Sequence, residues 1–137
     1  MAIALITGAR GFVGRHLALA LHKQGVQVCG IGHGAWTEHE CASWGVGFWL
    51  NGEVTKRNFD IVQAQVGRPD VVFHLAGGSA VGPSLAAPEE DFRRSVLSAA
   101  ELLEWARLAT PEVRLVLASS AAVYGSGHRQ PIREADT

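Results

Sequence analysis

Residues 7–14 read Thr-Gly-Ala-Arg-Gly-Phe-Val-Gly and follow directly on a short apolar run at residues 2–6. This pattern predicts a strand, a tight turn and the start of a helix. Gly8 lets the chain turn out of the strand, Gly11 lets the backbone approach a pyrophosphate, and Gly14 lets the helix pack closely on the strand. The free N–H groups of the new helix would hold the anion. Ordinary helix-capping loops also carry such glycines, but this strand–helix context favours a dinucleotide-phosphate turn.

Apolar periodicity along the remaining chain predicts alternating strands and helices. Such alternation indicates an α/β fold, a doubly wound parallel sheet with strand order 3-2-1-4-5. Residues 32–43 are expected to form a loop or a frayed turn. Strands are expected at residues 2–6, 26–31, 46–50, 71–76 and 113–118, and helices at 13–24, at 56–66 and from residue 87 onward. The last helix is expected to bury one apolar stripe, formed by Phe92, Val96, Ala99, Leu103 and Ala106.

The amino-acid composition limits the classes of protein to which the chain can belong. The chain has 137 residues, enough for one domain with its own core; 47% are hydrophobic, 18% are charged, and the formal net charge is −1. This balance favours a soluble cytoplasmic protein and excludes a basic nucleic-acid-binding surface. No membrane partner is expected, because no apolar stretch reaches membrane-spanning length and the sequence starts without a basic leader. Cys29 and Cys41 are expected to be buried free thiols.

The binding edge of such a sheet can be located from the predicted strand ends. Ligands bind beyond the carboxyl ends of the strands, near the switch between strands one and four. The segments that follow these ends are residues 8–14, 32–34, 53–54, 75–81 and 119–124. We therefore expect the binding site to be built from these segments.

Several side chains near this edge could serve a site. His74 lies within an apolar strand, which favours a hydrogen-bonded structural histidine over a base or a ligand. His33, His39 and Cys41 match no usual metal spacing, so no metal is expected. Ser120, after the fifth strand, either hydrogen-bonds a substrate oxygen or caps the following turn, and position alone leaves both open. It lacks the Gly-x-Ser-x-Gly surroundings of a hydrolase nucleophile.

Three motifs together resemble those of the extended short-chain dehydrogenase/reductases, and within them the nucleotide-sugar epimerases, dehydratases and reductases. Residues 7–14 match the glycine motif of that family. Residues 70–77, Asp-Val-Val-Phe-His-Leu-Ala-Gly, match its fourth strand, and residues 119–125, Ser-Ser-Ala-Ala-Val-Tyr-Gly, match its fifth strand and serine. The stretch 80–84 is similar to that of UDP-glucose/galactose 4-epimerases in particular. The resemblance covers nearly the whole chain and implies a Rossmann-like fold.

The resemblance also implies roles for single residues. Ser120 would be the catalytic serine, and Ser79, Ser120 and Ala121 would face a nucleotide-sugar substrate. The cofactor would be NADP or NAD. NADP is slightly favoured, because Arg10 suits a 2′-phosphate and because Gly32 stands where NAD-using relatives carry an acid for the ribose hydroxyls. The cofactor-binding residues would be Gly8, Arg10, Gly11, Phe12, Val13, Gly14, His33, Glu53, Val54, Leu75, Ala76 and Gly77.

Two departures from the family pattern bear on the reaction. Ala121 and Ala122 stand where 4,6-dehydratases carry the Asp-Glu pair that eliminates water, which favours an epimerase or a reductase. The Tyr-x-x-x-Lys motif, which the family places on the next helix, does not occur in the 137 residues. We therefore expect a truncated cofactor-binding domain, inactive alone, of an enzyme that is a homodimer in its full-length form. The alternative is a non-catalytic dinucleotide-sensing or regulatory domain.

Overall fold

Five parallel strands form one sheet in the computed structural model, which describes residues 1–78, 81–127 and 130–136. Their order across the sheet is β3-β2-β1-β4-β5, so the predicted α/β class and strand order are confirmed. The chain moves outward from β1 in one direction and then returns to β4 on the other side of β1, which creates a switch point between β1 and β4. The strands are β1 (Ile3–Thr7), β2 (Gln27–Gly32), β3 (Val46–Asn51), β4 (Val71–His74) and β5 (Arg114–Leu117).

Helices connect the strands and cover both faces of the sheet. The helix at Pro88–Phe92 continues through a π-turn, Arg93–Leu97, into the helix at Ser98–Ala109, so residues 88–109 form one long helix. A 3₁₀ helix, Ala121–Tyr124, follows β5. The α-helices are α1 (Phe12–Lys23), α2 (Glu38–Ser43), α3 (Lys56–Val66), α4 (Val81–Ala86), α5 (Pro88–Phe92) and α6 (Ser98–Ala109).

Each side of the sheet has its own apolar core. Leu5 of β1 belongs to the core under α3 and α6, where the rings of Phe59 and Trp105 stack with centroids 4.9 Å apart. Ile6, the next residue, belongs to the opposite core together with Ala18 of α1. Consecutive residues of β1 thus serve different cores, as expected for a strand that is covered on both faces.

The two cysteines are free and buried, which confirms the prediction. Cys29 in β2 donates from Sγ to the Ala4 carbonyl at 3.5 Å. Burial raises the pKa of the Cys29 thiol to about 12 and also raises the pKa of Cys41. Both thiols therefore stay protonated near neutral pH and act as small apolar side chains.

Helix α2 corrects the expectation that residues 32–43 form only a loop or a frayed turn. Residues 33–37 are a loop, but Glu38–Ser43 are helical. Thr37 Oγ1 accepts from the Glu40 N–H (3.2 Å), and the Glu40 carboxylate accepts from the Thr37 N–H (2.8 Å). The bonds that the Glu40 carboxylate accepts from the Thr37 N–H and from the Thr37 hydroxyl (2.9 Å) lower the pKa of Glu40. The two reciprocal side-chain–backbone bonds form a capping box that starts a helix too short to show apolar periodicity.

The buried face of the long helix differs from the predicted stripe. Phe92, Val96 and Leu103 are 56%, 52% and 49% exposed, so the expectation of a buried stripe through them is wrong. Of the predicted members, Ala106 is buried and Ala99 is half-buried. The helix carries apolar residues on two faces, and its π-turn adds one residue to a turn, so no single 3.6-residue period runs through it. The buried residues of α6 are Ser98, Leu102, Trp105 and Ala106.

Candidate functional site

A cleft of about 520 Å³ opens at the carboxyl edge of the sheet, beyond β1, β2, β3 and β4. It lies at the switch between β1 and β4, where doubly wound sheets bind their ligands. Every residue that the sequence predicts for the cofactor lines it: Gly8, Arg10, Gly11, Phe12, Val13, Gly14, His33, Glu53, Val54, Leu75, Ala76 and Gly77. The other lining residues are Gly32, Trp49, Arg93, Arg94 and Ser98.

The glycine turn after β1 leaves room for a phosphate group. Gly8 has φ +74°, a left-handed conformation, and its N–H donates to the Ile31 carbonyl at 2.7 Å. Gly11 is the N-cap of α1, and no described side chain caps its first amides. A Cβ at Gly14 would overlap the Gly8 carbonyl oxygen and lie 2.7 Å from the Ala9 Cα. The bare backbone and the uncapped helix start therefore suit a pyrophosphate.

Thr7 is the last residue of β1, and it also bonds to the backbone that follows β4. Its carbonyl accepts from the Leu75 N–H at 3.1 Å, and its Oγ1 accepts from the Leu75 and Ala76 N–H groups, each at 3.2 Å. Strand β4 stops at His74 rather than at residue 76, and beyond it the Ala76 N–H bonds to the Thr7 side chain instead of to a strand carbonyl. Leu75, Ala76 and Gly77 are left to form a wall of the cleft.

His74 is buried between this turn and the long helix. Its Nδ1 lies 2.8 Å from Thr7 Oγ1 and its Nε2 lies 3.4 Å from Ser98 Oγ, which confirms the prediction of a hydrogen-bonded structural histidine. Because Thr7 Oγ1 accepts two backbone amides, its hydroxyl proton is donated to Nδ1, and the ring proton sits on Nε2. Burial lowers the pKa of His74 below its ordinary value of 6.5, so the ring is neutral near pH 7.

The lowered pKa of His74 predicts an acid-sensitive fold. Below pH 6.5 the unfolded chain binds a proton at this residue that the folded chain does not bind, so the free energy of unfolding falls as the pH drops. We expect His74→Gln to flatten this slope between about pH 7.5 and 5.5, by at most about 1.4 kcal/mol per pH unit. Urea unfolding at several pH values measures it. The exposed-site control His39→Gln should keep the wild-type slope, and equal slopes for wild type and His74→Gln would contradict the prediction.

The loop after β2 is held by side chains of β3. Trp49 Nε1 donates to the Gly34 carbonyl at 3.2 Å, and Asn51 Oδ1 accepts from the Gly34 N–H at 3.0 Å. A Cβ at Gly34 would lie 2.5 Å from a guanidinium nitrogen of Arg10, so this guanidinium packs directly on the loop. His33 lines the same cleft. Arg10, His33 and Gly34 thus form a corner at the end of β2, where the Arg10 guanidinium carries a positive charge. We call Arg10, His33 and Gly34 the β2 corner.

The turn after β3 brings Glu53 and Val54 into the cleft. Asn58 Nδ2 donates to the Glu53 carbonyl at 2.7 Å, and Thr55 Oγ1 caps α3 by accepting from the Asn58 N–H at 3.3 Å. The start of α3 thereby fixes the turn. Val54 offers an apolar contact to a ligand, and Glu53 offers a carboxylate.

The charged side chains of the cleft are mainly cationic. Three arginines line it, Arg10, Arg93 and Arg94, and among the described lining residues Glu53 alone carries a carboxylate. Arg94 Nε lies 2.6 Å from Glu90 Oε1, and Arg93 is 3.8 Å from the carboxylate four residues before it. Exposed ion pairs of this kind contribute about 0–1 kcal/mol each, so a phosphate can readily replace the carboxylates as partner.

Ser120 lies at the same edge of the sheet but outside the cleft lining. The Ala118 N–H donates to the His74 carbonyl at 3.2 Å, so the chain leaves β5 beside the end of β4, and Ser120 follows two residues later. Ser120 Oγ accepts from the Ala122 N–H at 3.2 Å and caps the 3₁₀ helix that begins at Ala121. Its role as a turn cap is therefore confirmed. Capping uses an oxygen lone pair, so the hydroxyl proton is still a donor for a ligand.

The remaining candidate residues are Ser79 and the possible metal ligands. Ser79, the remaining predicted substrate contact, lies outside the described residues. His33 lines the cleft, whereas His39 and Cys41 belong to α2. Across residues 1–78, 81–127 and 130–136, no three His, Cys, Asp or Glu side chains form a group that could hold a metal ion. No helix of that described part is both long enough and apolar enough to cross a membrane.

The sequence reasoning missed four lining residues, Trp49, Arg93, Arg94 and Ser98. Strand alternation in β3 contained a signal for Trp49, because neighbouring strand residues face opposite sides of the sheet. The three residues of the long helix reach the cleft around its π-turn, and amphipathic periodicity carries no signal for a π-turn.

The strand order, the glycine turn and the cleft at the switch point define a Rossmann fold of the dinucleotide-binding class. Residues 4–137 match the NAD dependent epimerase/dehydratase family. The chain belongs to this family.

Proteins similar to this chain include several UDP-sugar 4-epimerases. UDP-glucuronate 4-epimerase 1 of Arabidopsis thaliana is 31% identical over an alignment of 146 positions, which covers 96% of this chain and 33% of that protein. UDP-glucose 4-epimerase of Halalkalibacterium halodurans is 32% identical over 133 residues, which cover 96% of this chain and 39% of that protein. The crystal structure of UDP-glucose 4-epimerase from Bifidobacterium longum in complex with NAD+ and UDP matches with a TM-score of 0.83 at 28% identity, covering 99% of this chain and 42% of that one. The chain thus spans less than half the length of these relatives.

Proposed function

We propose that the protein carrying this chain is an NAD(P)-dependent nucleotide-sugar epimerase or reductase, and that this chain supplies its dinucleotide site. The observation that carries the proposal is the convergence of a bare glycine turn, an uncapped helix start and three arginines in one cleft at the switch point. Two negative phosphates suit such a site better than a neutral ligand does. The relatives named above are UDP-sugar 4-epimerases, and one of them is described in complex with NAD+ and UDP.

Different groups of cleft residues contact different parts of the dinucleotide. Gly11, Phe12 and Val13 at the start of α1 hold the pyrophosphate, and the turn of Glu53 and Val54 receives the adenine. Leu75–Gly77 form the wall that leads from β4 toward β5. A bound nicotinamide dinucleotide supplies hydride acceptance and donation. The protein's own part is to orient the ring and to exclude water from its reacting face.

Ser120 is the proposed catalytic contact to the sugar. Its hydroxyl donates a hydrogen bond to the sugar oxygen at the carbon that exchanges hydride, with Ser79 and Ala121 beside it as substrate contacts. The capping bond from Ala122 to Ser120 Oγ orients the hydroxyl without using its proton. A tyrosine and lysine outside this chain would complete the proton transfer. Ala121 and Ala122 cannot act as the acid and base of a dehydratase, which favours epimerisation or reduction.

NADP is the proposed preference between the two dinucleotides. The β2 corner supports it, because the Arg10 guanidinium packs on Gly34 at the end of β2, where the adenosine ribose is bound in this fold. Gly32, at that strand end, offers no carboxylate to the ribose hydroxyls. A guanidinium and an imidazole suit the extra 2′-phosphate of NADP.

A homodimer is part of the same proposal. The long helix exposes Phe92, Val96 and Leu103, whose spacing of four and seven residues places them on one side of the helix. Packing this helix face against its counterpart in a second copy would bury these side chains and give a two-fold symmetric contact.

Binding and turnover assays test the proposed function. Calorimetry on the full-length protein should show one dinucleotide per chain, with NADPH bound more tightly than NADH. With UDP-sugars, an epimerase should interconvert them without net consumption of the cofactor, whereas a reductase should consume one NADPH per sugar. A protein that binds neither dinucleotide would overturn the proposal. Tight dinucleotide binding with no sugar turnover would instead favour a sensing domain.

A further inference from the structure

We infer that Ser98 is a positioning residue for the anionic ligand of the cleft: its hydroxyl, oriented by His74, holds a π-turn that brings both Arg93 and Arg94 to the phosphates of the dinucleotide. This inference rests on the proposed dinucleotide site and adds two phosphate-binding residues to it. The three residues Arg93, Arg94 and Ser98 line the cleft together.

The hydrogen bonds of the π-turn give Ser98 its role. Its backbone N–H donates to the Arg93 carbonyl, five residues back, instead of to the Arg94 carbonyl, four residues back. The Arg94 carbonyl therefore loses the amide that a regular α-helix would direct to it. The Ser98 hydroxyl donates to this carbonyl at 2.5 Å and replaces the missing bond. One side chain thus satisfies the carbonyl that the π-turn leaves unpaired.

A chain of hydrogen bonds fixes the direction in which the Ser98 hydroxyl points. Its single proton goes to Arg94, so its oxygen accepts from His74 Nε2 (3.4 Å), and His74 Nδ1 accepts from the Thr7 hydroxyl (2.8 Å). Thr7 in turn accepts from the Ala76 N–H at 3.2 Å. In this series of hydrogen bonds every donor faces an acceptor. The series connects the wall of the cleft at β4 to the π-turn. His74 and Ser98 are both buried, so this connection is shielded from water.

The π-turn decides how many arginines face the cleft. In a regular α-helix the residue four before Ser98 shares its face, and the residue five before it does not. The i→i+5 bond stacks Arg93 beneath Ser98 while Arg94 stays on the same side, so both side chains reach the cleft lining. Each guanidinium forms an exposed ion pair, Arg93 with Glu89 and Arg94 with Glu90, that a phosphate can replace at little cost.

A double-mutant cycle tests the inference. Dinucleotide Kd is measured by calorimetry on the full-length protein for wild type, Ser98→Ala, the pair Arg93→Gln with Arg94→Gln, and all three changes combined. We expect Ser98→Ala to weaken binding about fivefold in the wild-type background and to have no effect when both arginines are glutamine. Ser98→Thr keeps a hydroxyl and should restore most of the affinity. His74→Gln should give an intermediate loss.

Ser43→Ala is the matched control, because Ser43 Oγ donates to the Glu40 carbonyl at 2.7 Å in α2, outside the cleft. It should leave Kd unchanged. The same loss for Ser98→Ala with and without the arginines would overturn the inference and assign Ser98 a purely structural role, and so would an unchanged Kd for Ser98→Ala. Dinucleotide binding by the wild type in those cases would leave the proposed function standing. A wild type that binds no dinucleotide would remove both.

Discussion

Replacing Gly14 by alanine is expected to abolish dinucleotide binding at ordinary concentrations, with a loss of affinity of about 100-fold or more. A Cβ at this position would meet the Gly8 carbonyl oxygen, the Gly8 carbonyl carbon at 2.9 Å and the Ala9 Cα at 2.7 Å. All three are backbone atoms, so the helix or the turn must move. Either movement displaces the first amides of α1 from the phosphate. Overpacking of this kind also costs about 1–3 kcal/mol of stability.

Calorimetric titration with NADPH, together with thermal unfolding, measures both effects. The matched control is Gly47→Ala in β3, because a Cβ there would lie 3.6 Å from the Val28 carbonyl, an ordinary contact, and Gly47 is outside the cleft lining. The control should bind as the wild type does. Binding by Gly14→Ala within about threefold of wild type would mean that the start of α1 does not hold the phosphate.

The glycine turn and the sheet could be predicted because their signals are local. Gly8 is required by its left-handed φ, whereas Cβ atoms at Gly11 and Gly14 would crowd the Gly8 carbonyl oxygen. Buried parallel strands read as continuous apolar runs, so the order of elements and hence the carboxyl edge followed from the sequence. The position of the residues proposed to bind the cofactor was predictable for the same reason: their segments directly follow strand ends and line the cleft.

The missed features depend on tertiary contacts. Strand β4 ends at His74, where the Thr7 side chain accepts from the amides of Leu75 and Ala76. The π-turn is set by Ser98, whose hydroxyl is oriented by a histidine on a strand. Neither of these side-chain hydrogen bonds produces a periodic pattern in the sequence. The predicted stripe of the long helix failed because the helix carries apolar residues on two faces, and the buried face is the one with Trp105, which stacks on Phe59.

Helix α2 was not predicted, although the sequence contains a signal for it. Thr37 and Glu40 form the Thr-x-x-Glu pattern of a capping box, and both reciprocal hydrogen bonds are made. Its six residues are too few to show an apolar period. In a short helix, the cap is therefore a better predictor than the hydrophobic pattern.

The second large effect is expected for Arg10→Ala, which should separate the two dinucleotides. The Arg10 guanidinium lies on Gly34 in the β2 corner, whereas its backbone belongs to the glycine turn. Removing the side chain should therefore weaken NADPH binding by about 10- to 100-fold, the effect of about 1.5–3 kcal/mol for a charge-assisted hydrogen bond, and change NADH binding by less than about threefold. Titrations with both dinucleotides at two salt concentrations measure this.

Salt and a control variant identify the phosphate that Arg10 serves. If the guanidinium binds the 2′-phosphate, added salt should weaken NADPH binding more in the wild type than in Arg10→Ala, because the variant has lost one screened charge contact. Arg57→Ala removes an exposed arginine of α3 outside the cleft and should leave both affinities unchanged. Equal losses for NADPH and NADH would assign Arg10 to the pyrophosphate that they share, and the proposed NADP preference would then be wrong. An unequal loss has only one source, since the two ligands differ solely in the 2′-phosphate that the β2 corner is proposed to hold.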